Sequence, residues 1–232
     1  MTGFFRFPHT PHLAWLGTGQ PRDDKVLSAA EAQALLAGEV VVEEKVDGAN
    51  IGFSTTEDGD LRVQNRGSYL DRSHAHPQFR PLWSWLPARA SALADALWPN
   101  LMLFGEWCYA VHSVAYERLP DWFLGFDVYD READQFWDSA RRDALLMELR
   151  LHHVPRLAEG NFSIAKLEQL LLGTSRVGDG PIEGVVVRQE SGGFATARAK
   201  LVRAEFAQAI EEHWSRGPLR SNKLAEGATP WR

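Results

Sequence analysis

Strand-like segments recur along this chain with helices between some of them but in no strict strand-helix-strand alternation, an order that points to an α+β sheet architecture. Residues 39–44 form an apolar run that reads as a strand. Lys45-Val46-Asp47-Gly48-Ala49-Asn50 breaks it with a turn, and residues 51–55 and 61–64 read as two further strands joined by Glu57-Asp58-Gly59-Asp60. Ser28 and Glu31 have the capping-box spacing and open a short helix that runs to Leu36, with Gly38 as its stop. Further along, the pattern predicts a helix over 87–97, strands over 101–107 and 122–129, and a long helix over 131–151. A helix over 163–172 has Ser163 as cap and Gly173 as stop. A β-branched strand over 182–188 and a neighbour over 194–202 precede a final helix over 204–214 and a tail containing Gly, Pro and Ser. No internal repeat or linker divides the 232 residues, which read as a single domain whose residues 1–38 are an N-terminal segment and helix.

With 44% hydrophobic and 24% charged residues the chain can bury a sizeable core, which excludes a disordered or low-complexity class. One cysteine makes no internal disulfide and no Cys-rich zinc site, so a reducing compartment and a cytoplasmic location are expected. Pro8, His9, Pro11 and His12 interrupt the apolar N-terminus, which reads as neither signal peptide nor anchor. No window approaches the ~20 apolar residues of a membrane span. A net charge of −6 argues against coating nucleic acid by bulk electrostatics, yet residues 181–232 carry eight Lys/Arg against six Asp/Glu, a local basic balance.

Lys45 stands where an apolar strand runs into a Gly-containing turn. Partly desolvated and close to other cations, a lysine there would have a lowered pKa and act as a nucleophile at neutral pH. Alone, a Lys-X-Asp-Gly sequence such as Lys45-Val46-Asp47-Gly48 is most often just a hairpin turn with a solvated lysine. Four further segments follow in order. Phe104-Gly105-Glu106-Trp107 ends a strand with a carboxylate, residues 123–129 are an aromatic strand with one acid, and Glu183 opens the strand Gly184-Val185-Val186-Val187-Arg188. Arg198-Ala199-Lys200 then sets two cations on one strand face, a phosphate clamp in sequence form.

This ordered set, spanning Val40 to Arg203, resembles the covalent nucleotidyltransferase superfamily of polynucleotide ligases and capping enzymes. Asn50, where DNA ligases usually carry arginine, makes Lys45-Val46-Asp47-Gly48-Ala49-Asn50 similar to the ATP-dependent RNA ligase family, in particular the phage-type nick-sealing enzymes. The resemblance implies a ligase adenylation fold of antiparallel sheets flanked by helices, with the nucleotide site between them. It also implies RNA repair chemistry: Lys45 takes AMP from ATP, AMP passes to an RNA 5′-phosphate, and a 3′-hydroxyl displaces it. Lys45, Glu183 and Lys200 would be catalytic, Phe126 would stack on adenine, and Glu106 would accept from the ribose. Glu44, Arg66 and Arg198 join them as implied nucleotide-binding residues, Asn50 and Arg66 as implied contacts to the nucleic-acid ends. Glu106, Glu183 and Asp47 would hold Mg²⁺ or Mn²⁺. RNA is the implied partner, with room for a protein that supplies RNA-end processing or binding, and no membrane.

Two departures from the family pattern stand out. Arg198 occupies a clamp position that is usually lysine, and the 29 residues after Arg203 are too few for the accessory C-terminal domain of many ligases. Asn50 and that missing domain argue against a DNA ligase or a capping guanylyltransferase, while retention of Lys45, Glu106, Glu183 and Lys200 argues against an inert end-binding module. His74, His76, His152 and His153 read as solvated loop and helix-end residues, and Trp83-Ser84-Trp85 as core packing in a strand or amphipathic turn. The segment from Phe7 to Leu13 has two equal readings, a flap over the nucleotide site and a proline-fixed edge strand. No P-loop motif is present.

Overall fold

Lys45 is the last residue of the first strand of one sheet, and only Val46, Asp47 and Gly48 separate it from the first strand of another. The computed structural model describes residues 3–18, 25–209 and 218–230. Among them are ten strands: β1 (Val40–Lys45), β2 (Ala49–Thr55), β3 (Leu61–Asn65), β4 (Leu101–Trp107), β5 (Phe123–Asp130), β6 (Gln135–Phe136), β7 (His152–His153), β8 (Arg156–Gly160), β9 (Gly184–Ser191) and β10 (Phe194–Val202). The first sheet has the order β10-β9-β1-β8 and the second β3-β2-β4-β5-β6; every pair along them is antiparallel, and β7 adds a short parallel pairing to β5. The α+β architecture expected from the order of elements is therefore the one observed.

Each sheet buries its own outer face. Helices α1 (Ala29–Leu35) and α5 (Ile164–Leu171) set Leu35, Leu167 and Leu171 against Val40, Val42, Val185, Val187 and Leu201 of the first sheet. Helices α2 (Leu82–Trp85) and α3 (Ala90–Leu97) set Trp85, Leu93 and Leu97 against Ile51, Phe53, Leu103 and Phe123 of the second. A side chain of this size taken fully out of water contributes about 1.5–3 kcal/mol, so these contacts are what bind the helices to the sheets. The opposite faces look toward one another. Part of the space between them is filled by the N-terminal segment, where Phe5 stacks on Tyr129 at 4.2 Å and Phe7 packs beside Phe104 and Phe126.

Several local expectations meet the structure directly. Ser28 and Glu31 form a reciprocal capping box, Ser163 caps α5, and the strands over 101–107 and 194–202 have the expected limits. The N-terminal segment pairs with the edge of the first sheet, where Pro11 accepts from the Lys200 N–H at 2.9 Å and Leu13 donates back at 2.7 Å, while Phe7 and Thr10 border the inter-sheet cavity. Trp83 and Trp85 lie on a helix, and Trp85 is fully buried with its indole N–H on Asp121 at 2.7 Å. His152 and His153 form the short, exposed β7.

The helix expected over 131–151 is a correction. Asp130 Oδ1 accepts from the N–H groups of Glu132 and Ala133, Asp134 adopts φ 54°, and the chain turns back as β6. Only then does Asp138 cap α4 (Ser139–Glu148), which ends before Arg150 at φ 55°. The last helix, α6 (Ala204–Ala209), is described only to Ala209, and the rest of its expected span lies outside the described residues. No helix among the described residues is long and apolar enough to cross a membrane.

Candidate active site

The short β1–β2 passage places Lys45 at the seam between the sheets, at the edge of a cavity of about 380 Å³. Gly48 makes that passage: a Cβ there would lie 2.7 Å from the Trp107 carbonyl oxygen, closer than a side chain tolerates. The register pairs Lys45 with Gly184, so Glu183, one residue earlier, accepts from Nζ through both carboxylate oxygens at 2.7 and 2.6 Å. Side chains at alternate positions face the cavity: Glu43 and Lys45 on β1, Val186 and Arg188 on β9, Arg198 and Lys200 on β10. From the second sheet come Asn50, Glu106, Phe126 and Asp127, with Arg66 just beyond β3. Nine of the ten residues singled out as a site border this cavity, and the tenth, Glu183, adjoins it through Lys45.

Phe126 owes its position to a bulge. Phe104 pairs with Asp127 and Gly105 with Gly125, leaving Phe126 as the extra residue of β5. Its carbonyl accepts from Arg142 of α4 at 2.8 Å and Arg188 at 3.4 Å, and its ring meets Phe7 edge-on at 5.3 Å. Phe126, Val186 and Val154 give the cavity an apolar portion, whereas Glu106 and Lys200 belong to its polar portion.

The electrostatics correct one expectation. Burial alone would depress the Lys45 pKa, but Glu183, with Asp47 and Glu106 behind it, outweighs burial and holds the ammonium above the ordinary lysine range. Its nearest charged neighbours are carboxylates rather than cations. The acids respond in kind: burial, reinforced by Asp47 and Glu183, pushes Glu106 up to about 8 against the pull of Lys45 and Arg66, and burial also raises Glu183. Lys45 must therefore lose a proton before it can attack. Adduct formation from ATP should rise by roughly tenfold per pH unit between about pH 6 and 8, the behaviour of a base titrating well below its pKa. Initial rates of label transfer from ATP across that interval check this; a plateau from pH 6.5 upward would mean an amine already neutral.

Three other expected site residues have partners within the protein. The Glu44 carboxylate lies on the far face of β1, accepting from the Ser175 hydroxyl at 2.5 Å and the Arg176 N–H at 2.9 Å, so its side chain anchors a loop while the residue itself borders the cavity. The Arg198 guanidinium binds Asp127 and lies over the rings of Phe7 and Phe136 at 4.7 and 4.0 Å, which makes it a bridge between the sheets rather than an open clamp. Asp47 Oδ2 accepts from the N–H groups of Ser113 and Val114 at 2.6 and 3.2 Å. Among the described residues no three His, Cys, Asp or Glu side chains are gathered as a ready-made metal site.

Residues 38–202 match the family model described as RNA ligase. The chain belongs to the RNA ligase family. No curated protein matches it in sequence. Among solved structures it is similar to the Naegleria gruberi RNA ligase in a lysine-to-alanine variant with ATP and Mn, at 16% identity and TM-score 0.62, over 87% of this chain and 57% of that one. It is also similar to an apo variant of the same protein (17% identity, TM-score 0.61, 90% and 59% covered) and to a lysine-to-methionine variant with AMP and Mn (17%, 0.60, 88% and 64%). At these identities the likeness is one of fold, and this chain spans about 57–64% of the length of those structures.

The span matched by the RNA ligase model begins just before β1 and ends with β10, so it contains every residue singled out in the sequence. Segments on either side of it complete the site in this family member. Phe7 and Thr10 border the cavity from the N-terminal side. From the C-terminal side, Asn222 is buried against the loop after β4, accepting from the Tyr116 N–H at 2.8 Å and donating to the carbonyls of Cys108 and Ala110 at 2.7 and 3.2 Å. Tyr116 Oη in turn accepts from the Asp47 N–H at 2.7 Å, two residues from Lys45. Sequence reasoning missed Tyr116 and Asn222 and gave no site role to Asp127 and Arg188. For Arg188 a signal existed: it alternates with Val186 on the face opposite the core residues Val185 and Val187.

Proposed function

We propose that this RNA ligase family member is an ATP-dependent ligase that forms a lysyl-AMP intermediate on Lys45, transfers AMP to an RNA 5′-phosphate and seals that end to a 3′-hydroxyl. The observation that carries the reading is the Lys45 ammonium held by both oxygens of Glu183 at the edge of a cavity shared with Phe126, Glu106 and Lys200. The bound ATP, AMP, Mn and pyrophosphate of the Naegleria gruberi structures support the nucleotide and divalent metal.

In the first step Nζ attacks the α-phosphorus, a nitrogen–phosphorus bond forms, and the bond to pyrophosphate breaks. Nζ attacks as the neutral amine, its proton released to solvent, and Glu183, in contact with Nζ, orients it. Lys200 opposes charge on the α-phosphate, and Phe126 with Val186 offers adenine apolar faces. The carboxylates of Glu106 and Glu183 suit Mg²⁺ or Mn²⁺, which takes one or two such ligands together with nucleotide phosphates; Asp47, tied to Ser113 and Val114, is the weaker third. An ion held there would supply positive charge against the phosphates and weaken the hold of these acids on the Lys45 proton.

Asn50 Oδ1 and Arg66 Nε are buried at this cavity without hydrogen-bond partners, an arrangement that costs about 1–3 kcal/mol per group unless a ligand satisfies them. Both suit the RNA ends. A nicked duplex presents its 3′-hydroxyl and 5′-phosphate already aligned, which lowers the entropic cost of joining them. Nicks are the proposed substrate, with ribose on the 3′-hydroxyl side because the 2′-hydroxyl distinguishes RNA from DNA. The reading places the protein in RNA repair; a single buried cysteine, Cys108, fits a cytoplasmic setting.

The test compares sealing of nicked duplexes carrying ribose or deoxyribose at the 3′-hydroxyl end with joining of unpaired strands. Sealing of the ribose nick should be at least about tenfold faster than either alternative, as expected when one hydrogen-bonding group and end alignment decide the rate. Equal rates on an all-DNA nick, or faster joining of free strands, would overturn the substrate assignment.

A further inference from the structure

Four arginines lie along the β3 side of the second sheet on this acidic protein: Arg62 and Arg66 from β3 and its end, Arg6 from the N-terminal segment and Arg131 from the turn after β5, with Arg66 at the cavity. Arg6 reaches the Arg66 carbonyl through Nε at 3.3 Å, which ties the N-terminal segment to β3 at this point. The Arg62 guanidinium lies 4.9 Å over the Tyr69 ring, and Phe4 meets the same ring edge-on at 5.2 Å. Both rings are solvent-exposed, at 38% each.

Among the described residues none of these four arginines forms a salt bridge with a carboxylate. The nearby acids are otherwise engaged: Asp130 by its own turn, Glu132 by Asn100, and Asp134 by the Tyr129 hydroxyl. Burial and the like charge of Arg62 both depress the Arg131 pKa, as expected for cations crowded without an anion between them. Unpaired arginines around exposed aromatic rings match phosphates and nucleobase faces together. Arg66 makes this surface continuous with the cavity that holds Lys45.

We propose that Phe4, Tyr69, Arg6, Arg62 and Arg131 form a platform that grips the RNA strand leading into the Lys45 cavity, the arginines on its phosphates and the two rings against a base or ribose. The proposal rests on the RNA ligase reading for its choice of ligand. It differs from that reading in what it predicts, because none of the five residues touches the nucleotide cavity's reacting groups.

The experiment uses the full chain with Arg62→Ala/Arg131→Ala and, separately, Phe4→Ala/Tyr69→Ala. Three quantities are measured: adduct formation with ATP alone, affinity for a fluorescent 5′-phosphorylated RNA oligonucleotide, and the salt dependence of that affinity. Adduct formation should stay within about twofold of the parent, which also shows that each variant is folded. RNA affinity should fall by about tenfold or more, and the arginine pair should flatten the log–log salt slope by about 1.5, given a contribution of about 0.7–0.9 per phosphate contact. The ring variant should weaken binding with little change in slope, since stacking releases no counterions. Because the Arg62 guanidinium also donates to the Thr55 carbonyl at 2.9 Å, the ring variant decides the matter if the arginine pair fails to fold. Unchanged RNA affinity in folded variants would overturn the platform. If the parent forms no adduct, the ligase reading fails, and RNA binding by parent and variants still decides the surface.

Discussion

Lys45→Ala is expected to abolish transfer of AMP from ATP to the protein while leaving the chain folded. The nucleophile is lost outright, and no other lysine is placed comparably: Lys200, across the cavity, belongs to β10 and its main chain is bonded to the N-terminal segment. Folding should survive because the group left behind, Glu183, can stay neutral. Its pKa is already raised by burial, and removing Lys45 takes away the charge that opposed that shift. Glu183→Ala should lower adduct formation by about two orders of magnitude, the usual loss when one strong electrostatic contact to a transition state is removed. Labelled ATP and a gel check both variants, with circular dichroism as the folding control; full labelling of folded Lys45→Ala would place the nucleophile elsewhere.

Asp127→Ala should be the most destabilising single change near the site. Among the described residues Asp127 is the one carboxylate shared by Arg188 and Arg198, accepting from Arg188 at 2.6 Å and also from Arg198. It joins the second sheet to the first, and the side chains of Asp127 and Arg188 are 3% and 1% exposed. Removing one partner of a buried ion pair costs about 3–5 kcal/mol, because the remaining charge has neither water nor counter-ion. Here two guanidiniums are left, although Glu190 still contacts Arg188 at 2.9 Å. For a domain of this size, 1 kcal/mol shifts the melting temperature by about 2–4 °C, so a fall of about 6–20 °C is expected. The exposed pair Arg118–Asp179 provides the contrast, since surface pairs are worth about 0–1 kcal/mol. Thermal melts of Asp127→Ala and Asp179→Ala test this, and equal midpoints would mean that the inter-sheet bridge carries no stability.

Local signals were the most readable part of the sequence. The Ser28–Glu31 box and the Ser163 cap work through side chains three residues apart, so their geometry is contained in their spacing. Residues 131–151 show the opposite. Their composition favours a helix, but Asp130 captures two backbone N–H groups and Asp134 bonds the Tyr129 hydroxyl, and these contacts make a hairpin before α4 can start. The alternation that puts Arg198 and Lys200 on one face was legible; the capture of Arg198 by Asp127, from the other sheet, was not. The same holds for Lys45. Its position at a strand end was visible, but the acid that sets its protonation, Glu183, lies 138 residues away and is brought in by the β1–β9 register. Asn222, farther still, reaches the site only through Tyr116 and Asp47.

The central claim is that Lys45 itself becomes covalently bonded to AMP, and peptide mapping by tandem mass spectrometry tests it most directly. Parent protein incubated with ATP and Mg²⁺ should yield the Lys45-containing peptide carrying AMP, with the modification localised to Lys45. An unmodified Lys45 peptide alongside AMP on another residue, or no AMP on any peptide of the folded protein, would contradict the account.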